Sequence, residues 1–174
     1  AMVRTDKRWL ADDVADVQRR YEAHIAKIAP ILPGLFADLP KASYGVRRLP
    51  VENEPGMAYG IFQPAGPNEP MGLYRFNGSG LQTRTMIGGF HLIAHELMPG
   101  HHLQLSLARE TQLIHPIQAF MGATPYVEGW AEYAAWLVED AGLYEPYDLY
   151  GHLAMQSFLA SRLVGDTGMN ALDW

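Results

Sequence analysis

Apolar residues recur at three- and four-residue intervals over most of this chain, and at shorter intervals over one central stretch. Between Arg8 and Ile28, the residues Trp9, Leu10, Val14, Val17, Tyr21, Ile25 and Ile28 share a helical face with charges between them, which predicts a packing helix. Pro30, Pro33 and Gly34 predict its end. From Ser43 to Asn77 the texture changes: Pro50, Pro55, Pro64, Pro67 and Pro70 forbid long helices. Residues 44–49, 58–63 and 72–76 are short enough to be strands, with Gly56, Gly66 and Gly78 at the turns. A small antiparallel sheet is the expectation. The stretch 71–77 reads either as its edge, where an extended peptide adds as a further strand, or as an ordinary solvated edge. After Gly80 the helical period returns over residues 82–98, 100–111, 126–141 and 147–164, punctuated by Pro99, Pro116, Pro125 and Pro146. No repeat, low-complexity tract or linker interrupts the 174 residues. The expected fold is α+β, mainly helical, in one domain over 1–174.

Composition narrows the chemistry. A 48% hydrophobic and 18% charged chain with mean hydropathy −0.10 is globular, and no window approaches the roughly 18 apolar residues of a spanning helix. Thirteen Lys+Arg against nineteen Asp+Glu give a net charge of −6, which argues against nucleic acid or an anionic membrane as partner. The opening Ala1-Met2-Val3-Arg4 has neither the apolar stretch nor the cleavage pattern of a targeting peptide, so cytoplasm and bacterial envelope stay equally open. Oligomeric state is not legible. The absence of cysteine excludes disulfides, thiolate metal sites and thiol nucleophiles, so a metal must be held by His, Asp or Glu.

Four of the seven histidines, His91, His95, His101 and His102, fall within twelve residues. Zinc hydrolases place two His four apart on a helix, side by side toward one ion, with a Glu directly after the first. Here His95-Glu96 is followed by His101, six residues on, which an unbroken helix would turn away. Pro99-Gly100 changes that expectation. Proline cannot donate to the carbonyl of His95 and disfavours helix at Met98, and glycine tolerates the bend. A bulged turn that absorbs two residues returns His101 to the metal side. His102 would lie about 10 Å further along a straight helix. His91 and His95 have the ideal spacing, but Leu92 stands where the Glu is needed.

A second segment carries Glu128 and Glu132 one turn apart among Trp130, Ala131, Ala134, Ala135 and Leu137. Two carboxylates on an apolar face are costly to bury unless positive charge sits opposite. Zinc held by His95 and His101 would supply it; the alternative is a solvated charge pair. Glu128 is then the third ligand, and Glu132 accepts the outer N–H of a ligating His.

The pair His95-Glu96-x-x-Pro-Gly-His101-His102-Leu-Gln and Glu128-Gly-Trp-Ala-Glu132-Tyr resembles the bacterial family known as domain of unknown function 885, grouped with the gluzincin metallopeptidases. The tail from Arg162 to Trp174 resembles the family's next motif block, so the likeness runs from about residue 40 to the end. The resemblance implies a zinc-dependent peptidase, carboxypeptidase- or oligopeptidase-like, with zincin-like helices beside a small sheet. By that alignment His101 is the second ligand, Glu128 the third and Glu96 the base, with His102 expected beside Glu132 just behind the ligands or, alternatively, as the second ligand itself. Members of the family are usually far longer, so the chain reads as a catalytic-core fragment. Asn170 stands where many members carry His.

The expected chemistry is peptide hydrolysis: the metal activates a water, Glu96 takes its proton, and a further donor steadies the oxyanion. Candidates for that donor are Tyr126, His115, His152 and Arg162, and Tyr74 is a candidate for lining the substrate groove. An inactive protein or a binding module with a structural zinc remains the alternative reading.

Overall fold

The carboxylate of Asp13 accepts the amide of Asp16 at 2.7 Å and starts helix α1, Val14–Ile28. The expected helical start at Arg8 is instead a separate 3-10 turn, Lys7–Trp9, capped by Asp6. The helical path also continues past Pro30 through a 3-10 turn, Ala29–Ile31, and the short α2, Leu32–Leu35. Both prolines occupy first-turn positions, where no amide donor is needed. The structure is a computed structural model that describes residues 6–111, 123–172 and 174.

Three strands follow: β1 (Tyr44–Arg48), β2 (Gly60–Gln63) and β3 (Gly72–Phe76). Their ranges match the pattern-based expectation closely, but their pairing does not. The order is β1-β3-β2, with β1 parallel to β3 and β2 antiparallel to it, so the sheet is mixed. β3 lies at the centre and not at an edge: Leu73, Tyr74 and Phe76 are buried, as a strand covered on both faces requires.

Four helices complete the described fold: α3 (Gly89–Glu96), α4 (His101–Glu110), α5 (Thr124–Asp140) and α6 (Pro146–Ala171). The helix expected from residue 82 begins only at Gly89. Ahead of it, the amides of Thr83 and Arg84 go to Gly80 O and that of Met86 goes to Trp9 O, which holds the segment in turns. Every residue of α3 from Gly89 to Ala94 is buried, because α1, α5 and α6 all pack against it. Phe90, Ile93 and Leu97 join Tyr21, Ile28, Tyr74 and Phe76 in the core, and each large apolar side chain contributes about 1.5–3 kcal/mol. Ala131, Ala134 and Ala135 give α5 a small-residue face, so it lies close to α3. α6 comes close to the turn just ahead of α3. A Cβ at Gly151 would stand 1.7 Å from Ile87 O, so only glycine permits this crossing.

Candidate metal centre

α3 stops at Glu96. Leu97 leaves the helix with φ −107° and ψ −102°, the Met98–Pro99 bond is cis, and α4 restarts at His101 with Gly100 as its N-cap. The sequence therefore breaks the helix instead of bulging it. The result is close approach: a Cβ on Gly100 would lie 1.7 Å from the carbonyl oxygen of His95. This fold-back brings the His95 and His101 rings to a centroid separation of 4.7 Å, nearly perpendicular.

α5 supplies the carboxylates. Glu128 Oε2 lies 3.4 Å from His95 Nε2 and 3.7 Å from His101 Nε2. Tetrahedral zinc with bonds of about 2.0–2.1 Å sets its ligand atoms about 3.3–3.4 Å apart, close to both Glu128 distances, and two imidazoles with a carboxylate are a donor set that zinc accepts; among the described residues His91, His95 and Glu132 also bring their donor atoms within 4.8 Å of one another. Glu96 completes the cluster, its carboxylate lying within 4.8 Å of the His95 and His101 donors. One turn along α5, Glu132 Oε1 lies 2.8 Å from His95 Nδ1, and Gln156 donates to Glu132 Oε2 at 2.7 Å. Trp130 joins the two motif segments through its indole N–H, which donates to Pro99 O at 3.0 Å.

The electrostatics follow from burial and crowding. For His95, burial favours the neutral ring, but the Glu128 and Glu132 carboxylates outweigh it and raise the pKa to about 9. Burial and the positive charge on His95 lower His101 to about 4, so it is a neutral donor. Burial, aided by the Glu128 charge and opposed by His95, raises Glu96 to about 7.

The sequence model of the family described as "Bacterial protein of unknown function (DUF885)" matches residues 1–174. The chain belongs to the DUF885 family. Among solved structures, this DUF885 chain is similar to that of "the putative lipoprotein from Colwellia psychrerythraea", with TM-score 0.91 and 26% identity. The similarity covers 99% of this chain and 31% of that one, so the chain spans about a third of that relative. No curated protein matches the chain.

The other expected site residues of the DUF885 chain divide clearly. His102 is fully buried and turned toward β1, its Nε2 3.0 Å from Ala42 O and its Nδ1 3.4 Å from Ser106 Oγ. One helical step from His101 rotates it by about 100°. Tyr74 does not line the groove: it sits on the central strand with no exposure, packed edge-on against Tyr21. Tyr126 is 69% exposed at the start of α5. His152 is buried in α6 against His91 and is no donor to the cleft. His115 lies outside the described residues. Arg162 does reach the site, on the wall of a cavity of about 580 Å³ that His95, Glu128 and Glu132 also line. A second cleft of about 300 Å³ runs from His95, Glu96 and His101 to Gly60, Ile61 and Phe62 of β2. β2, the true edge on this side, was expected as a strand within 58–63 but not as the edge, because the pattern marks a strand without giving its neighbours. Burial applies unequally to the two α5 carboxylates, for Glu128 opens to the clefts with 53% of its side chain exposed and Glu132 keeps 24%.

Proposed function

We propose that this chain carries the catalytic centre of a zinc-dependent peptidase of the gluzincin type, with His95, His101 and Glu128 as the metal ligands. The convergence of two imidazole Nε2 atoms on one Glu128 oxygen, at 3.4 and 3.7 Å with Glu96 beside them, carries the reading. Zinc, when bound, supplies a Lewis acid that lowers the pKa of water and polarises a carbonyl. Glu96 is the base. Its carboxylate, beside the His95 and His101 donors, is placed to take a proton from the attacking water and return it to the departing amine. Glu132 holds the Nδ1 side of His95 and so keeps Nε2 aimed at the ion.

The outer edge of β2 is the place for substrate. An extended peptide pairs with the outer side of this strand beside Glu96, the role first expected of 71–77. Beyond Glu128 the larger cavity offers an apolar wall of Leu92, Met155, Phe158 and Leu159, with Arg162 as the cation available to a substrate carboxylate or the oxyanion.

The test is hydrolysis of a peptide panel by the unsubstituted protein and by Glu96→Gln, with zinc measured in both. The expected result is zinc in both and hydrolysis in the first alone. Retained turnover in Glu96→Gln would sink the base assignment, and zinc without any hydrolysis in the unsubstituted protein would favour a structural zinc site.

A further inference from the structure

Two clefts meet at the candidate metal centre, and His95 and Glu128 line both. The smaller follows Gly60, Ile61, Phe62 and Pro64 along β2. The larger, about 580 Å³, includes Ala58 and Tyr59, just ahead of that strand, and is walled by α6. Met155, Phe158, Leu159 and Arg162 of α6 are spaced i, i+3, i+4 and i+7, so one helical face meets this cavity. Three of them are apolar, and Leu92 of α3 joins them. The fourth ends the face with the only Lys or Arg among the described residues of the wall. Its guanidinium carbon stands over the Phe158 ring, 5.7 Å from the centroid. Among the described residues no carboxylate pairs with Arg162. Asp166, one turn on, accepts from Asn170 Nδ2 at 3.0 Å, and Glu128 and Glu132 face His95.

We infer that this cavity takes the carboxyl-terminal end of a peptide, with an apolar last side chain on the α6 face and the α-carboxylate on Arg162. The inference rests on the reading of His95 and Glu128 as metal ligands, which puts the scissile bond where the two clefts meet. Charge decides which end of a peptide enters. The wall carries its carboxylates, Glu128 and Glu132, beside His95 and its cation on α6, so an anionic terminus is repelled from the first and held by the second. A planar guanidinium also matches a carboxylate with two parallel hydrogen bonds. The rest of the peptide then lies in the smaller cleft. With its last residue on the Ala58 and Tyr59 side and its earlier ones beside Gly60 to Pro64, it runs antiparallel to β2. Hydrolysis adds one water across the peptide bond: the fragment along β2 leaves with a new carboxylate, and the fragment on Arg162 gains a free amine. The substrate class is peptides with a free, apolar carboxyl terminus.

The test is peptide binding by calorimetry to the zinc-supplied Glu96→Gln protein, which holds a peptide uncleaved, with and without Arg162→Met. The probes are acetyl-Ala-Ala-Phe, its carboxyl amide, and acetyl-Ala-Ala-Ser. The free acid ending in Phe should bind about tenfold tighter than either of the others, the scale of one charge-assisted hydrogen bond or one buried apolar side chain. Arg162→Met should weaken the acid to the level of the amide and leave the amide within about twofold. Arg162 is exposed, so this substitution should leave the melting temperature unchanged. With Glu96 in place, Arg162→Met should slow hydrolysis of the acid alone. An equal loss with acid and amide would assign Arg162 to the oxyanion and overturn the inference. Equal binding of acid and amide, binding of neither, or a preference that survives Arg162→Met would also overturn it, and bound zinc in that protein would leave the metal reading intact. Acid-selective, Arg162-dependent binding in a protein that holds no zinc would overturn the metal reading instead.

Discussion

Replacing Gly100 by alanine isolates the turn on which the metal centre depends. Gly100 has φ −78°, a value any residue adopts, so backbone strain is not the issue. Space is. The new methyl would stand 1.7 Å from His95 O, 2.4 Å from His95 C and 2.5 Å from Ala94 O, all backbone atoms that cannot swing aside. Such contacts are essentially never closer than 3.0 Å in proteins, so the turn must open by about 1.3 Å, against a tolerance of about 0.2 Å in metal–ligand distances. Overpacking of this kind costs about 1–3 kcal/mol, which lowers Tm by roughly 3–10 °C in a chain of this size. His95 and His101 flank the turn, so opening it separates them and zinc affinity falls by at least about 100-fold. Thermal unfolding of the metal-free protein and chelator competition read the two effects separately. Gly34→Ala is the control, since a Cβ there meets nothing within 4 Å. A Gly100→Ala variant with unchanged Tm and zinc affinity would refute the close-approach argument.

Further outcomes follow from the same geometry. At pH 7 the metal-free His95 is protonated, raised to about 9 chiefly by Glu128 and Glu132 with a smaller push from Glu96, whereas His101 near 4 is neutral, so zinc uptake by Glu96→Gln, where the two α5 carboxylates remain, should release about one proton and not two. Apparent zinc affinity should therefore climb about tenfold per pH unit from 7 to 9 and level off above, and calorimetry in buffers of different ionisation enthalpy that finds no release would contradict it. For the same reason His95 stabilises the metal-free fold fully below about pH 6.5, and that contribution disappears as pH rises through about 9. At the far side of the sheet, Arg48 donates to both oxygens of the buried Glu54 at 2.7 and 3.0 Å and holds its carboxyl below the usual carboxylate range. The stability it contributes is present at neutral pH and lost as pH falls through that lowered value, so Glu54→Gln should cost about 2–3 kcal/mol at pH 7 by urea unfolding and less at pH 3. Trp130→Phe removes the donor to Pro99 O and should cost about 1 kcal/mol, with a measurable loss of zinc affinity; an unchanged affinity would mean the turn holds itself.

Strand positions were legible because prolines and glycines bound them, and the ends of β3 were read to the residue. Their partners were not legible, since periodicity marks a strand without saying which neighbour it takes. The chain places β2 outside β3 on one side and β1 on the other, which turned the expected edge into the centre. The two halves of the candidate centre were visible as motifs, and Pro99-Gly100 announced a break between His95 and His101. Which of His101 and His102 faces His95 depended on where the second helix restarts, a matter of backbone path that spacing alone does not fix. His152 illustrates the remaining gap. It lies 61 residues from His91, and only the packing of α6 on α3 brings them together. Tyr74 failed as a groove residue for the opposite reason: a tyrosine on a strand declares neither face until the sheet order is known.

The central claim is a single zinc held by His95, His101 and Glu128. Elemental analysis of the purified protein, beside His101→Ala and His102→Asn, tests it most directly. One zinc per chain is expected in the unsubstituted protein and in His102→Asn, and none in His101→Ala. Zinc retained in His101→Ala and lost in His102→Asn, or no zinc in any of the three after zinc is supplied, would contradict it.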